Sequence, residues 1–475
     1  MNIKKSNIVF LIIISCFAIF FSSCNERLKE GTIVFTEVAG DLPDVNYITG
    51  NSWRYISESR IMALDPKKVG TSPQLLSEGF FSACAPQISY EGKQMLFAGQ
   101  KKQNELWQIW EMNLENLKIR QVTSSKENCI DPAYLPDGSL AFSKFIKNDT
   151  IKTGHALFTC NRDGSEIRQI THNPHNYFAS TVLRDGRILT ISRQLYPDQK
   201  DGVFMVLRPD GTKQELFYRG LKGSDIHSRG QETNNGKVVF VESDESNSQG
   251  GNLISINYSR PLHSRVNLST GIKGDFYAIS TQQSGKLLVS YRSSDKEHYA
   301  LYQFDAENRM LGKAIYKNKN YNVLEVVAVE KHEMPKKLPS EVDLGVKTGL
   351  LICQDINFTK KSVDSATSTS KAVKIEVMGI DASLGTVDAE EDGSFYLKIL
   401  ADTPFRIKTL NQSGEIVNGP GSWLYLRPNE RRGCVGCHED NEQVPENKEM
   451  LSVKKDPIKI PVRLKEIHNK KNSLK

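Results

Sequence analysis

Three catalytic signatures are missing from this 475-residue sequence. No G-x-S-x-G occurs, which argues against the nucleophile elbow of a propeller-capped serine hydrolase. His332-Glu333 lacks the second histidine of H-E-x-x-H, so it is no zinc-protease helix. No Walker or dinucleotide glycine loop appears, so nucleotides find no phosphate cradle. A second C-x-x-C is absent too, which leaves a four-cysteine zinc site without its other half. Net charge is small at +6, and residues 453–475 account for it with eight Lys/Arg against Asp456 and Glu466. The remainder is near neutral. The tail (441–475) reads as a solvated basic segment, with contact to an acidic partner or a membrane surface as its alternative use.

What is present begins at the N-terminus. Lys4 and Lys5 precede an apolar run from Ile8 to Phe21, too short for a comfortable mature span and charged at its start like a secretory signal. The run ends in Phe21-Ser22-Ser23-Cys24, which resembles a bacterial lipobox. Residues 1–23 are therefore expected to be a lipoprotein signal peptide and Cys24 the lipidated mature N-terminus. The alternative is an ordinary signal peptide with Cys24 as a bystander. Either way the chain is expected in the bacterial cell envelope, periplasm-facing or surface-exposed, with a lipid anchor as its membrane contact. Export permits disulfides among the remaining cysteines and points away from nucleic acid as a partner.

A self-similar block recurs over residues 31–331. Its clearest copy is "DPAYLPDGSLAFSKF" (131–145) followed by "HALFTCNRDGSEIRQIT" (155–171). The turn glycines Gly92, Gly138, Gly186, Gly236 and Gly285 fall 46, 48, 50 and 49 residues apart. Each unit reads as four short strands separated by Asp-Gly, Asn-Gly or Ser-Gly turns, the period of a β-propeller blade. Six units are counted. The first lacks the strand before its glycine, Gly31, while "NVLEVVAVEK" (322–331) is one strand too many after the sixth. Closure is expected to pair this spare strand with residues 32–37. The P-x-x-x-P-D-G pattern resembles six-bladed propellers of the TolB type.

Beyond the Pro/Lys-rich linker 334–343 the pattern changes. "TGLLICQDINF", "KAVKIEVMGI", "GTVDAEEDGSFYLKIL", "PFRIKTL" and "SWLYLRP" read as strands of a small β-sandwich-like domain over 344–440, interrupted by the polar loop 359–371. The fold class is thus all-β.

That second domain ends in "RRGCVGCHED" (431–440). C-x-x-C-H is the attachment signature of c-type haem: two thiols add to the haem vinyl groups and the adjacent histidine becomes an axial iron ligand. Cys434, Cys437 and His438 are the residues concerned. A small Cys434–Cys437 disulfide or half of a zinc site are the competing readings. Only 37 residues follow His438, broken by Pro445, Pro457 and Pro461, so this is no free-standing cytochrome c fold.

Taken together, the repeats, "EEDGSFYLKILADTPFRIKTL" and "SWLYLRPNERRGCVGCHE" resemble the alpha subunit of hydrazine synthase, most specifically over 385–439. The resemblance implies a haem working beside a bound zinc, then a further haem domain, and a tyrosine that ligates iron shortly after the motif. Here no second motif follows, Glu442 stands in the tyrosine's place, and no tyrosine follows Tyr425. Those departures argue against hydrazine synthesis itself.

Five further residues enter the innermost strands of successive blades: Cys84, Cys129, His175, His227 and Asp275. Equivalent positions in a propeller converge on one mouth of the channel, so they are candidates for a metal, ligand or haem-docking site, with zinc as the second metal. A Cys84–Cys129 disulfide is the rival. The expectation is that the haem motif lies over this mouth. Functionally, the chain is expected to be a mono-haem c-type protein in envelope redox chemistry, serving a redox partner protein or a small-molecule substrate. The alternative is a propeller scaffold that binds protein or glycan, its haem structural or vestigial.

Overall fold

The computed structural model describes residues 27–68, 70–147, 153–243, 249–359, 370–437, 442–443 and 446–461. Its regular elements are strands, apart from two short 3-10 turns at Pro261–His263 and Leu451–Lys454. Six sheets form the blades of a propeller. The strands nearest the axis are Ser82–Ile88, Cys129–Tyr134, His175–Val182, the broken pair Asp225–Ile226 and Gln231–Glu232, Asp275–Thr281, and Tyr321–Ala328. The five turn glycines read from the sequence all have positive φ, from 69° at Gly92 to 91° at Gly138. Glycine reaches that region without steric cost, so the tight hairpins sit where Glu91-Gly92, Asp137-Gly138, Asp185-Gly186, Asn235-Gly236 and Ser284-Gly285 put them. Second strands such as Gln94–Gln100 and Ile188–Gln194 are buried almost throughout. Neighbouring blades cover both faces of these strands, which is why they read as apolar runs rather than as alternation.

The ring closes as the strand count implies. Tyr321–Ala328 lies antiparallel to Ile33–Ala39, with Ile33 opposite Ala328 and Glu37 opposite Val323. The first blade is completed by Arg60–Leu64 and Gln74–Leu75. A single backbone ladder therefore holds the beginning and end of the propeller together.

Between Ile33–Ala39 and Arg60–Leu64 the chain makes a long excursion, residues 40–59, that folds over the channel mouth. Val45, Tyr47, Trp53 and Ile56 are buried there in one apolar cluster with Cys84, Cys129, Phe178 and Tyr277. The opposite mouth is crossed by the linker. His332 N–H donates to Tyr90 O at 2.8 Å and Lys336 N–H to Arg184 O at 2.9 Å. A Cβ at Gly186 would stand 2.1 Å from Lys336 O, so this turn glycine also seats the linker. Beneath the linker lies a funnel of about 200 Å³ lined by Tyr90, Arg184, Gln231, Glu232, Gln283 and His332, among others.

The second domain is two four-stranded sheets on one core. One runs Arg431–Cys434, Thr348–Cys353, Phe395–Leu400, Ile458–Ile460; the other Ser383–Asp388, Lys374–Met378, Arg406–Leu410, Ile416–Asn418. Leu351, Ile375, Val377, Leu397, Phe405 and Ile460 pack between them. Two sequence expectations change here. Residues 458–460, read as part of a basic tail, form a parallel edge strand beside Phe395–Leu400 because Ile460 fills the core. The segment "SWLYLRP" is not a strand beyond a single bridge, Phe405 with Leu424. Its side chains reach the propeller instead.

Candidate functional site

Cys84, Cys129, His175, His227 and Asp275 do stand at the starts of the inner strands, but each is engaged locally. The Cys84 thiol faces Arg54 O and the Cys129 thiol faces Glu127 O, both at 3.6 Å. His175 Nδ1 meets Ser192 Oγ at 2.9 Å, and His227 Nδ1 meets the Tyr47 hydroxyl at 2.8 Å. Asp275 accepts from Arg292 at 2.8 and 3.0 Å and from the Tyr299 hydroxyl at 2.7 Å. Among the described residues no three or more His, Cys, Asp or Glu side chains are grouped to hold a metal ion. The excursion 40–59 lies against two of the five: Arg54 O faces Cys84, and Tyr47 and Trp53 bond to His227. Cys84 and Cys129 are free thiols, so the rival disulfide is not formed either. Burial pushes His227 and His175 down to about 3, with Arg54 adding to it for His227 and Lys200 and Arg406 for His175. The same burial pushes Cys129 up to about 11.

The channel axis instead holds a charge cluster that the sequence reading missed. Arg54 Nε donates to both carboxylate oxygens of Asp131, at 2.8 and 3.0 Å, and its Nη2 pairs with Glu325. Arg229 Nη2 reaches Asp131 at 3.1 Å from the gap between Asp225–Ile226 and Gln231–Glu232, the two halves of the broken inner strand. Bulges in the inner strands supply more donors. Ala85 N–H reaches Glu325 Oε2 at 2.6 Å and Ala179 N–H reaches Asp131 Oδ2 at 2.9 Å. Ala85, Asp131 and Ala179 all have φ between 53° and 58°, a conformation costly for non-glycine residues and held here by these bonds. Burial alone would raise the Asp131 carboxyl, but the guanidiniums of Arg54 and Arg229 hold it below the usual range.

The cysteine motif lies elsewhere. Arg431–Cys434 is an edge strand parallel to Thr348–Cys353, with Cys434 in register with Cys353. Gln354 N–H donates to Cys434 O at 2.9 Å, and Cys437 N–H donates to Phe358 O at 2.9 Å, which turns the motif back across the strand end. Cys434 and Cys437 are half-buried free thiols; Cys353 is a buried one. Burial raises all three, Cys437 to about 11 with Cys434 beside it adding to the effect. His438 lies outside the described residues, as do Cys24 and the expected signal segment.

What fixes this domain to the propeller is the segment before the motif. Trp423 Nε1 donates to Tyr196 O at 2.7 Å. The Tyr425 hydroxyl lies 3.0 Å from Ile170 O and 2.9 Å from Gly211 O, sharing its hydrogen between them. Arg427 reaches Asp210 O at 3.1 Å and Asp402 at 2.7 Å, and beside it burial holds His172 at about 3. Buried Glu430 accepts Lys213 N–H at 2.8 Å and Arg427 N–H at 2.7 Å. Farther on, Glu442 pairs with Arg260 on the fifth blade at 3.0 Å. The chain leading into and out of the motif thus follows the outer edge of blades four and five. Of the segment 434–438 expected over the mouth of Cys129 and His227, the described residues 434–437 lie at the end of the second domain's edge strand, and both of those side chains are buried.

This arrangement, a six-bladed ring with a docked β-domain carrying the cysteine motif, has known counterparts. Residues 318–439 match the family described as hydrazine synthase alpha subunit middle domain. The curated hydrazine synthase subunit alpha of Kuenenia stuttgartiensis is 23% identical over 514 residues, covering 81% of this chain and 63% of that protein. The chain resembles the hydrazine synthase alpha subunit. It spans a little under two thirds of that relative's length. The solved hydrazine synthase of Kuenenia stuttgartiensis superposes with a TM-score of 0.77 over 90% of this chain and 72% of its own, at 20% identity, which shows the shared fold. TolB from Acinetobacter baumannii is a more distant likeness, at a TM-score of 0.46 and 14% identity over 66% of this chain and 70% of its own.

Proposed function

We propose that this chain is an exported, lipid-anchored, mono-haem c-type protein of the bacterial envelope, passing electrons to a partner protein or acting on a small molecule. The observation that carries the reading is the state of the motif: two free, half-buried thiols, two residues apart, on the edge strand of the hydrazine synthase-like domain. That donor set fits thioether attachment. Cys434 and Cys437 would hold the haem, and His438 would follow as axial ligand. Bound haem supplies one-electron redox chemistry. The protein's own contribution is rigidity, because the Trp423–Glu430 contacts fix the motif against the propeller.

Zinc is not carried into this proposal, since no described group would hold it. Hydrazine synthesis is not carried over either. Glu442, which stands where the resemblance implies an iron-ligating tyrosine, is engaged by Arg260. A visible spectrum of the full chain, made with a cytochrome c maturation system, tests the reading. Haem bands that change on adding dithionite, and vanish in Cys434→Ser/Cys437→Ser, are expected. A colourless wild-type protein overturns it.

A further inference from the structure

Cys353 plays no part in haem attachment, yet the fold brings it to the motif. Along Thr348–Cys353 burial alternates strictly, with Gly349, Leu351 and Cys353 on the core face. Along Arg431–Cys434 the less exposed positions are Arg432 and Cys434. Parallel register sets Leu351 beside Arg432 and Cys353 beside Cys434, and in-register neighbours on adjacent strands project to the same face. Cys434 accordingly packs against the core cluster that contains Cys353. Adjacent strands run about 4.8 Å apart, inside the Cα separation a disulfide spans. Cys437 is folded back over the same strand end by its bond to Phe358 O.

We propose that Cys353, Cys434 and Cys437 form a thiol–disulfide exchange trio, in which Cys434 pairs either with Cys437 or with Cys353. Two thiols give up two electrons and two protons to a disulfide-bearing oxidant, which is reduced to two thiols. The remaining cysteine of the trio can then attack the new disulfide as thiolate and displace one sulfur, with no net redox change. Cys353–Cys434 is a form in which Cys434 is withdrawn from thioether chemistry. That consequence rests on the haem reading; the exchange itself does not.

The haem-free full chain, incubated folded with oxidised glutathione, alkylated and digested with trypsin, decides the matter. Cleavage after Lys347 and Lys360 puts Cys353 in one peptide, and cleavage after Arg432 and Lys448 puts Cys434 and Cys437 in another. The expected result is a cross-linked pair of these peptides in wild type, enriched in Cys437→Ala and lost in Cys353→Ala. If Cys353 remains alkylatable in both wild type and Cys437→Ala, the trio does not exist. The Cys437→Ala arm leaves the core side chain intact, so the outcome does not hinge on Cys353→Ala folding. Failure here leaves a haem-bearing wild type untouched, so the two proposals fall separately.

Discussion

Arg54, carried on the excursion that fills the propeller mouth, holds both carboxylate oxygens of Asp131 in the third blade, at 2.8 and 3.0 Å. The same guanidinium pairs with Glu325 on the strand that closes the ring. Three segments distant in sequence are thereby tied at the axis, with Arg54 only 3% exposed. Removing one member of such a cluster leaves buried charge without its counter-ion.

Arg54→Met should therefore cost about 3–5 kcal/mol, the range for breaking a buried ion pair from one side. Urea unfolding followed by tryptophan fluorescence measures it. A loss below about 1 kcal/mol would show that Arg229 alone suffices for Asp131.

Acid should weaken the fold well above the carboxylate range. His172, His175 and His227 are held near 3 and His155 near 4, against 6.5 for a free imidazole, chiefly by burial. A lowered folded pKa means that unfolding takes up protons. The contribution is complete above pH 6.5 and is lost progressively as pH falls towards the folded values. Each histidine gives a slope of at most about 1.4 kcal/mol per pH unit. His227→Gln should flatten the stability profile between pH 6 and 4 by up to one proton. An unchanged slope would mean that His227 is protonated in the folded state.

How much of this was readable beforehand varies by feature, for physical reasons. Blade number and ring closure were legible, because Gly92 and its four counterparts mark hairpins locally and a leftover strand has one place to go. What fills the channel was not legible. Cys84, Cys129, His175, His227 and Asp275 occupy the expected positions, but nothing in residues 40–59 announces that Trp53 and Tyr47 fold into the mouth. The partners of Arg54 lie 77 and 271 residues away. Cys353 escaped notice because its neighbour Cys434 is set by parallel strand pairing, which leaves no local signature. Tyr425 read as a strand residue, since a segment that docks on another domain shows the same aromatic pattern.

Tyr425→Phe should loosen the second domain from the propeller. Its hydroxyl serves two buried carbonyls, Ile170 O and Gly211 O, and leaving them without a donor costs about 1–3 kcal/mol. Tryptic cleavage in the linker, at Lys336 or Lys337, should quicken several-fold. Equal cleavage rates would place the docking energy in Trp423 and Arg427 instead.

For the anchor, Cys24→Ala should either release the protein from the membrane fraction or leave the signal segment uncleaved. Stable anchoring follows from acyl chains at about 0.8 kcal/mol per buried methylene. Unchanged fractionation and processing of this variant would remove the lipoprotein proposal.

The central claim, covalent haem on Cys434 and Cys437, is tested most directly by haem staining of the full chain on a denaturing gel. Denaturation strips haem held only by iron ligands and spares thioether-bound haem. Wild type made with a maturation system should give a stained band at the protein's mass, and Cys434→Ser/Cys437→Ser should give none. An unstained wild-type band, with a known c-type cytochrome stained in the next lane, would contradict the account.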